Sequence, residues 1–248
     1  MTMQAFPRGS EWRKWDLQVH TPYSALNNGF GSDFDAYART LLTRAVAERI
    51  AAIAVTDYFS IQGYVELRRL LADHDRLVGL LGTDVAEAAG RLLILPNVEL
   101  RTSTIVRDPD GRDSRVNFHI IFSDEIHPDV VEEDFLRQLR FTAESSPDSV
   151  DNRMALTTRN LEALGARLKR EHAPFQDRSD LIVGQMNAVV NHELVSSVLH
   201  DQEAKFEGRY LLVVPADEDL SACSWDGQGH LARKLLIQKS HMLYSSNL

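Results

Sequence analysis

Short apolar runs that stop at charged or polar residues recur along this chain, with helical periodicity between them. That alternation restricts it to an α/β architecture. Trp15-Asp16-Leu17-Gln18-Val19-His20 alternates apolar with polar residues as a strand does, and Thr21-Pro22 ends it. Residues 51–55 form a compact apolar run that stops at Thr56-Asp57-Tyr58, and 92–95 leads through Pro96-Asn97 to Val98-Glu99-Leu100. The strand predicted at 116–122 carries His119 in its middle, and 210–214 and 241–244 complete the set. Between them, Phe34, Tyr37, Ala38, Leu41, Leu42 and Ala45 give one helical face behind a Ser32 or Asp33 cap. Further helices are predicted at 64–81, from Pro128 through Leu139, along Leu156, Leu161, Leu164 and Leu168, from Met186 to Val198 with Asn191-His192 on it or at its start, and at 230–239. Asp108-Pro109-Asp110-Gly111 reads as a turn and Ser145-Ser146-Pro147-Asp148 as a loop. Strands separated by helices imply a parallel sheet, because parallel neighbours need long crossovers. A barrel and an open doubly wound sheet both satisfy this pattern.

With 248 residues, 44% of them apolar, the chain suits one large domain over 1–248. The net charge of −9 argues against a surface devoted to wrapping nucleic acid, yet leaves room for a local basic pocket. Cys223 is the only cysteine, which excludes a disulfide framework and a thiolate zinc site. No apolar stretch approaches the ~18 residues of a membrane helix. The first residues carry Arg8, Glu11, Arg13 and Lys14 in place of a signal-peptide apolar run, so a soluble, cytoplasmic protein is expected.

In parallel α/β folds the working residues gather at the carboxyl ends of strands. Those ends offer Asp16, Gln18 and His20, then Asp57 and Tyr58, Glu99, His119 and Asp217. Imidazoles and carboxylates are the ligands of divalent ions, and Gln18 and His20 share a strand face. Each residue also has an ordinary role available. A lone histidine such as His119 in an apolar strand is commonly a hydrogen-bonded core residue. Glu99 can pair with Arg101, and Asp57 can bind loop amides after its strand. His74, His127, His172 and His200 read as surface residues.

The order of these motifs resembles the polymerase and histidinol phosphatase (PHP) family. Asp16-Leu17-Gln18-Val19-His20-Thr21 is similar to the family's opening D-L-H-x-H-[ST], Thr56-Asp57-Tyr58 to its T-D-H, Asn97-Val98-Glu99 to its G-x-E, and His119-Ile120-Ile121 to its H-x-L strand. Met242-Leu243-Tyr244-Ser245-Ser246-Asn247 resembles the last family strand. The resemblance implies a distorted (β/α)7-type PHP barrel and a phosphoesterase, a phosphatase or nuclease, that uses divalent Mn, Zn, Fe or Mg. It assigns catalysis to His20, Asp57 and Glu99, and metal ligation to Gln18, His20, Glu99, His119 and Asn247. Glu99 would bridge two ions, and Arg101, Arg13 or Lys14 would neutralise a phosphate ester or nucleic-acid substrate.

Three ligand positions depart from the family pattern: Gln18 and Tyr58 stand where it has histidines, and Asn247 where it has aspartate. A partly degenerate site is therefore expected. Arg8-Gly9-Ser10-Glu11-Trp12-Arg13-Lys14-Trp15 and Thr56-Asp57-Tyr58-Phe59-Ser60 further resemble the N-terminal region of large bacterial proteins that join a PHP domain to an AAA or SMC-like ATPase, the TrlF-like group. That likeness implies an ATPase domain in cis. Two alternatives to hydrolysis stand beside it: a non-catalytic PHP module that organises such an ATPase, and an acidic α/β binding domain unrelated to metal.

Overall fold

The computed structural model describes residues 12–25, 29–107, 113–143, 153–215 and 228–244. Its strands are β1 (Lys14–His20), β2 (Ile50–Tyr58), β3 (Leu93–Arg107), β4 (Asp113–Phe122), β5 (Arg140–Ala143), β6 (Met154–Ala155), β7 (Ala188–Val190), β8 (Tyr210–Pro215) and β9 (Met242–Tyr244). The α-helices are α1 (Phe34–Ala47), α2 (Gln62–Ala72), α3 (His74–Leu81), α4 (Thr83–Ala89), α5 (Pro128–Val130), α6 (Thr158–Glu171), α7 (Asp180–Asn187), α8 (His192–Asp201), α9 (Glu203–Phe206) and α10 (Gln228–Lys239), and α5 continues as a π-helix (Val131–Phe135) and a 3-10 turn (Leu136–Gln138).

The main sheet runs β1-β2-β3-β4-β8-β9. β1, β2 and β3 are parallel, β4 is antiparallel to β3 and β8, and β9 is parallel to β8. The expected parallel sheet is thus mixed. β3 and β4 are joined by the short link at 108–112, which is too short for a crossover, so they pair as a hairpin. The turn predicted at Asp108 lies in that link, outside the described residues, as does the loop predicted at Ser145. Past the main sheet β3 continues, and Thr102 pairs with Val190 of β7. From there β7, β5 and β6 form a small antiparallel side sheet.

Side-chain alternation sorts the main sheet into two faces. Ile53, Val55, Ile94, Val98, Phe118, Ile120, Leu212 and Val214 face the helices and join the large core. On the other face Ala54, Ile121 and Val213 form a small buried cluster, against which Leu17, Leu95, Met242 and Tyr244 pack. Residues from both edge strands, β1 and β9, therefore reach one cluster, which requires the sheet to curl strongly. The curl stops short of a closed barrel, because β1 and β9 do not pair among the described residues.

Two helix expectations are corrected. Asp73 divides the segment predicted at 64–81: it ends α2 and its side chain accepts from Arg76 N (3.1 Å) to start α3. The helix expected from Met186 to Val198 is interrupted by β7, whose Ala188, Val189 and Val190 are fully buried in the side sheet. Asn191 then caps α8 by accepting from Glu193 N at 2.7 Å. Gly165 of α6 and Gly184 of α7 let these two helices touch backbone to backbone, since an added Cβ would meet Asp180 O or Leu161 O. Among the described residues, no helix is long and apolar enough to cross a membrane.

Candidate functional site

Strand register assembles the site. His20 pairs with Thr56, Tyr58 with Glu99, and Glu99 with His119. Although β4 runs the opposite way, its register sets His119 level with Glu99 on the concave face. The turn after β2 holds Tyr58 there: Phe59 N donates to Glu99 O (3.0 Å) and Gln185 Nε2 to Tyr58 O (3.0 Å). Phe59 has φ 58°, a left-handed conformation that costs a non-glycine residue on the order of 1 kcal/mol, held by these contacts.

His20, Glu99 and His119 are almost wholly withdrawn from solvent, at 8%, 2% and 1% exposure. His20 Nε2 lies 3.3 Å from Glu99 Oε2, an ion-pair contact without an aligned hydrogen bond, and that oxygen has no hydrogen-bond partner. Asn117 Nδ2 donates to Glu99 Oε1 (2.8 Å), and His20 Nδ1 meets Ser24 Oγ (2.9 Å), so both side chains are held from behind. The Tyr58 ring stacks on His20 with centroids 5.2 Å apart. His119 Nε2 is hydrogen-bonded to the Tyr244 hydroxyl (2.8 Å), while its Nδ1 is buried without a partner.

Burial pushes the His119 pKa down to about 4 against the pull of Glu99, so His119 is neutral at pH 7. Burial alone would raise the Glu99 carboxyl, but its contacts with His20, His119 and Asn117 together carry it below its ordinary value. With His119 neutral, the His20 and Asn117 contacts are the effective ones at pH 7. The Tyr58 phenol is pushed up, first by burial and then by Glu99.

The remaining predicted residues are distributed differently. Asp57 alternates to the face opposite Tyr58, where Oδ1 accepts from Thr21 Oγ1 (2.7 Å) and Oδ2 from Gly63 N (2.8 Å). Both oxygens are engaged, so Asp57 clamps the turn after β1 to the start of α2. An irregularity in the β1–β2 register between Asp16 and Val19 sends Leu17 to the concave cluster, while Gln18 lines a cavity between β1 and α1. That cavity, about 840 Å³, is also lined by His20, Phe30, Tyr37, Leu41 and Ile53, and the buried Tyr37 hydroxyl has no hydrogen-bond partner. Lys14 pairs with Glu48 (3.3 Å) at the start of β1, next to Arg13 and at the far end of the strand from His20. Neither stands where it could neutralise a phosphate beside His20. Arg101 does reach the neighbourhood: its charge acts on Tyr58, and its Nη1 donates to Met186 O (2.6 Å). His192 is the first residue of α8 and lines a separate cavity with Phe118 and His241. Asn247 and Asp217 lie outside the described residues. Sequence reasoning passed over Asn117, Ser24 and Tyr244. Asn117 could have been found by alternation, since it shares a strand face with His119.

The donors brought together, His20 Nε2 and Glu99 Oε2, are fewer than a metal cluster takes. Glu99 Oε2 and His119 Nδ1 are buried polar atoms without an aligned hydrogen bond, although His20 and the Tyr58 phenol act on the Glu99 carboxylate. His20 Nε2 stands beside the first of them. Among the described residues, however, no three His, Cys, Asp or Glu side chains are arranged to hold an ion. Tyr58 and Tyr244 cover His20 and His119, and Gln18 faces the α1 cavity, so the fuller ligand set of a two-ion site is not assembled.

No protein-family profile matches the chain, and no curated protein matches it. Two solved structures align over 93% of this chain and 76% of their own, both at 14% identity. One is a candidate metal-dependent phosphoesterase from Bifidobacterium adolescentis (TM-score 0.42), and the other an amidohydrolase from Chromobacterium violaceum with bound sulfate and no metal (TM-score 0.37).

Proposed function

We propose that this chain is a PHP-type phosphoesterase domain with a reduced centre, built on His20 and Glu99. The observation that carries the proposal is the buried His20–Glu99 contact, with Glu99 Oε2 lacking an aligned hydrogen bond and His20 lining a cavity of about 840 Å³. A pair of one imidazole and one carboxylate suits an ion that accepts both donor types, such as Mn²⁺, Fe²⁺ or Zn²⁺ with water in the remaining positions, better than Mg²⁺, which prefers oxygen ligands. Such an ion would supply Lewis-acid polarisation of a phosphoryl oxygen and a water nucleophile at neutral pH.

The protein's own groups have definite tasks in this scheme. Ser24 and Asn117 hold the His20 ring and the Glu99 carboxylate in place. His119, neutral at pH 7, adds no positive charge to compete with a cation. Arg101 supplies fixed positive charge near Tyr58 for a phosphate ester, and the cavity beside His20 has room for the ester's organic part. Asp57 acts by positioning the turn that follows His20, not by touching substrate. The test is hydrolysis of bis(p-nitrophenyl) phosphate and p-nitrophenyl phosphate with added Mn²⁺ or Mg²⁺. The proposal expects turnover that falls at least ~100-fold in His20→Ala and Glu99→Gln, within the range for losing a group that acts on the transition state. Equal rates in wild type and both variants would sink it.

Tyr58 and Tyr244 favour a second function. Tyr58 stacks on His20 and the Tyr244 hydroxyl occupies His119 Nε2, as tyrosines filling a retired metal site would. The domain would then be a non-catalytic PHP module serving an ATPase in cis. Metal-stimulated hydrolysis abolished by His20→Ala would exclude that role.

A further inference from the structure

We propose that the side sheet carries a second anion site, a pocket for a phosphate group set apart from the His20–Glu99 pair. Arg140 of β5 and Arg153, just before β6, line one cavity of about 200 Å³ with Ser103 of β3, Thr142 of β5 and Ser197 of α8. Single exposed arginines are ordinary surface groups. Here two arginines and three hydroxyl-bearing residues line one concavity, a combination suited to an oxyanion. Arg140 is also fixed in advance: its Nη1 meets the carbonyls of Arg137 (3.1 Å) and Leu139 (3.1 Å), so little side-chain freedom remains to be lost on binding.

Glu193 is the one carboxylate on the wall, which leaves the lining with a net positive charge on a chain of net charge −9. The start of α8 adds little, because Asn191 Oδ1 already accepts from the amides of Glu193 (2.7 Å) and Leu194 (3.4 Å). β3 links this pocket to the first site. Glu99 and Arg101 fall at alternate positions of the strand, and Ser103 follows in the same strand where its register with β4 is irregular, roughly 13 Å from Glu99 at most. Arg115 Nη1 donates to Ser103 O (2.5 Å), which ties that part of β3 to β4. The pocket's ligand is thus a phosphate group, either free or on a strand long enough to reach along β3. The pocket does not depend on His20 and Glu99 being catalytic.

The test uses the full chain with two probes: inorganic phosphate followed by calorimetry, and a fluorescein-labelled single-stranded oligonucleotide followed by anisotropy. Variants are Arg153→Ala, which leaves the Arg140 hydrogen bonds intact, Arg140→Ala/Arg153→Ala, and Glu193→Gln, with far-UV circular dichroism confirming the fold. Phosphate binding weakened at least ~10-fold in the double variant and tightened in Glu193→Gln supports the site. If the source is a strand, oligonucleotide affinity falls as well, and the salt slope drops by about one for each phosphate that the variant no longer neutralises. If the source is free phosphate, the oligonucleotide arm is unchanged. Failure of the wild type to bind either probe, or equal affinities across all variants, overturns the proposal. p-Nitrophenyl ester turnover should be the same in Arg153→Ala as in wild type, so failure here is separable from failure of the phosphoesterase assignment.

Discussion

Replacing Asp57 by asparagine should remove a pH dependence of stability that one buried carboxyl imposes. Asp57 is 1% exposed, and burial pushes its pKa from 3.8 to about 6, against the opposing hydrogen bonds from Thr21 and Gly63 and the nearby His20. The folded value lies above the unfolded one, so between pH 4 and pH 6 the folded protein holds the proton more tightly. Stability from this group is therefore fully present below about pH 4 and lost as pH rises through about 6. A shift of about two pKa units corresponds to roughly 3 kcal/mol at full development, and roughly 1.3 kcal/mol of it falls between pH 5 and pH 7. Asparagine cannot ionise, yet its amide can still bond Thr21 and Gly63. The assay is urea unfolding followed by circular dichroism at pH 5, 6 and 7 for wild type and Asp57→Asn. The difference in unfolding free energy should move by about 1 kcal/mol in favour of the variant as pH rises across that range. Parallel pH profiles would refute the buried, unpaired-charge account of Asp57.

Gly63→Ala should lower the melting temperature by several degrees at pH 7, because an added Cβ would meet Thr21 and lie 2.6 Å from Asp57 Oδ2, opening the clamp. Ile121→Ala, in the small concave cluster, should destabilise by about 2–5 kcal/mol in denaturant unfolding. Tyr58→His would put an imidazole beside His20 and Glu99; manganese retention after desalting should rise over wild type, and unchanged retention would count against the reduced-centre account. Asn117→Ala frees Glu99 Oε1 and should slow ester hydrolysis without abolishing it, measured as a lower kcat at similar KM.

The strands and most helices could be placed from periodicity, since β1, β2, β4 and β8 coincide with runs whose alternation or apolarity is strong. The hairpin of β3 and β4 was not legible as a departure from parallel order, because alternation gives a strand's existence but not its direction. β7 was hidden because Ala188-Val189-Val190 fits a helical face as well as a buried strand, and only pairing with β5 decides it. His20 beside Glu99 and Glu99 level with His119 followed from motif order. The positions of Gln18 and Asp57 did not. A register irregularity in β1 and strict alternation in β2 turn those side chains away from Glu99, and a short polar segment does not encode its own bulge.

The most direct test of the central claim is metal content per chain after loading with Mn²⁺ and desalting, measured by inductively coupled plasma mass spectrometry for wild type, His20→Ala and Glu99→Gln. A divalent-ion centre on His20 and Glu99 predicts about one ion retained by the wild type and loss of that ion in both variants. Equal retention in all three proteins, or none in the wild type at millimolar loading, would contradict it.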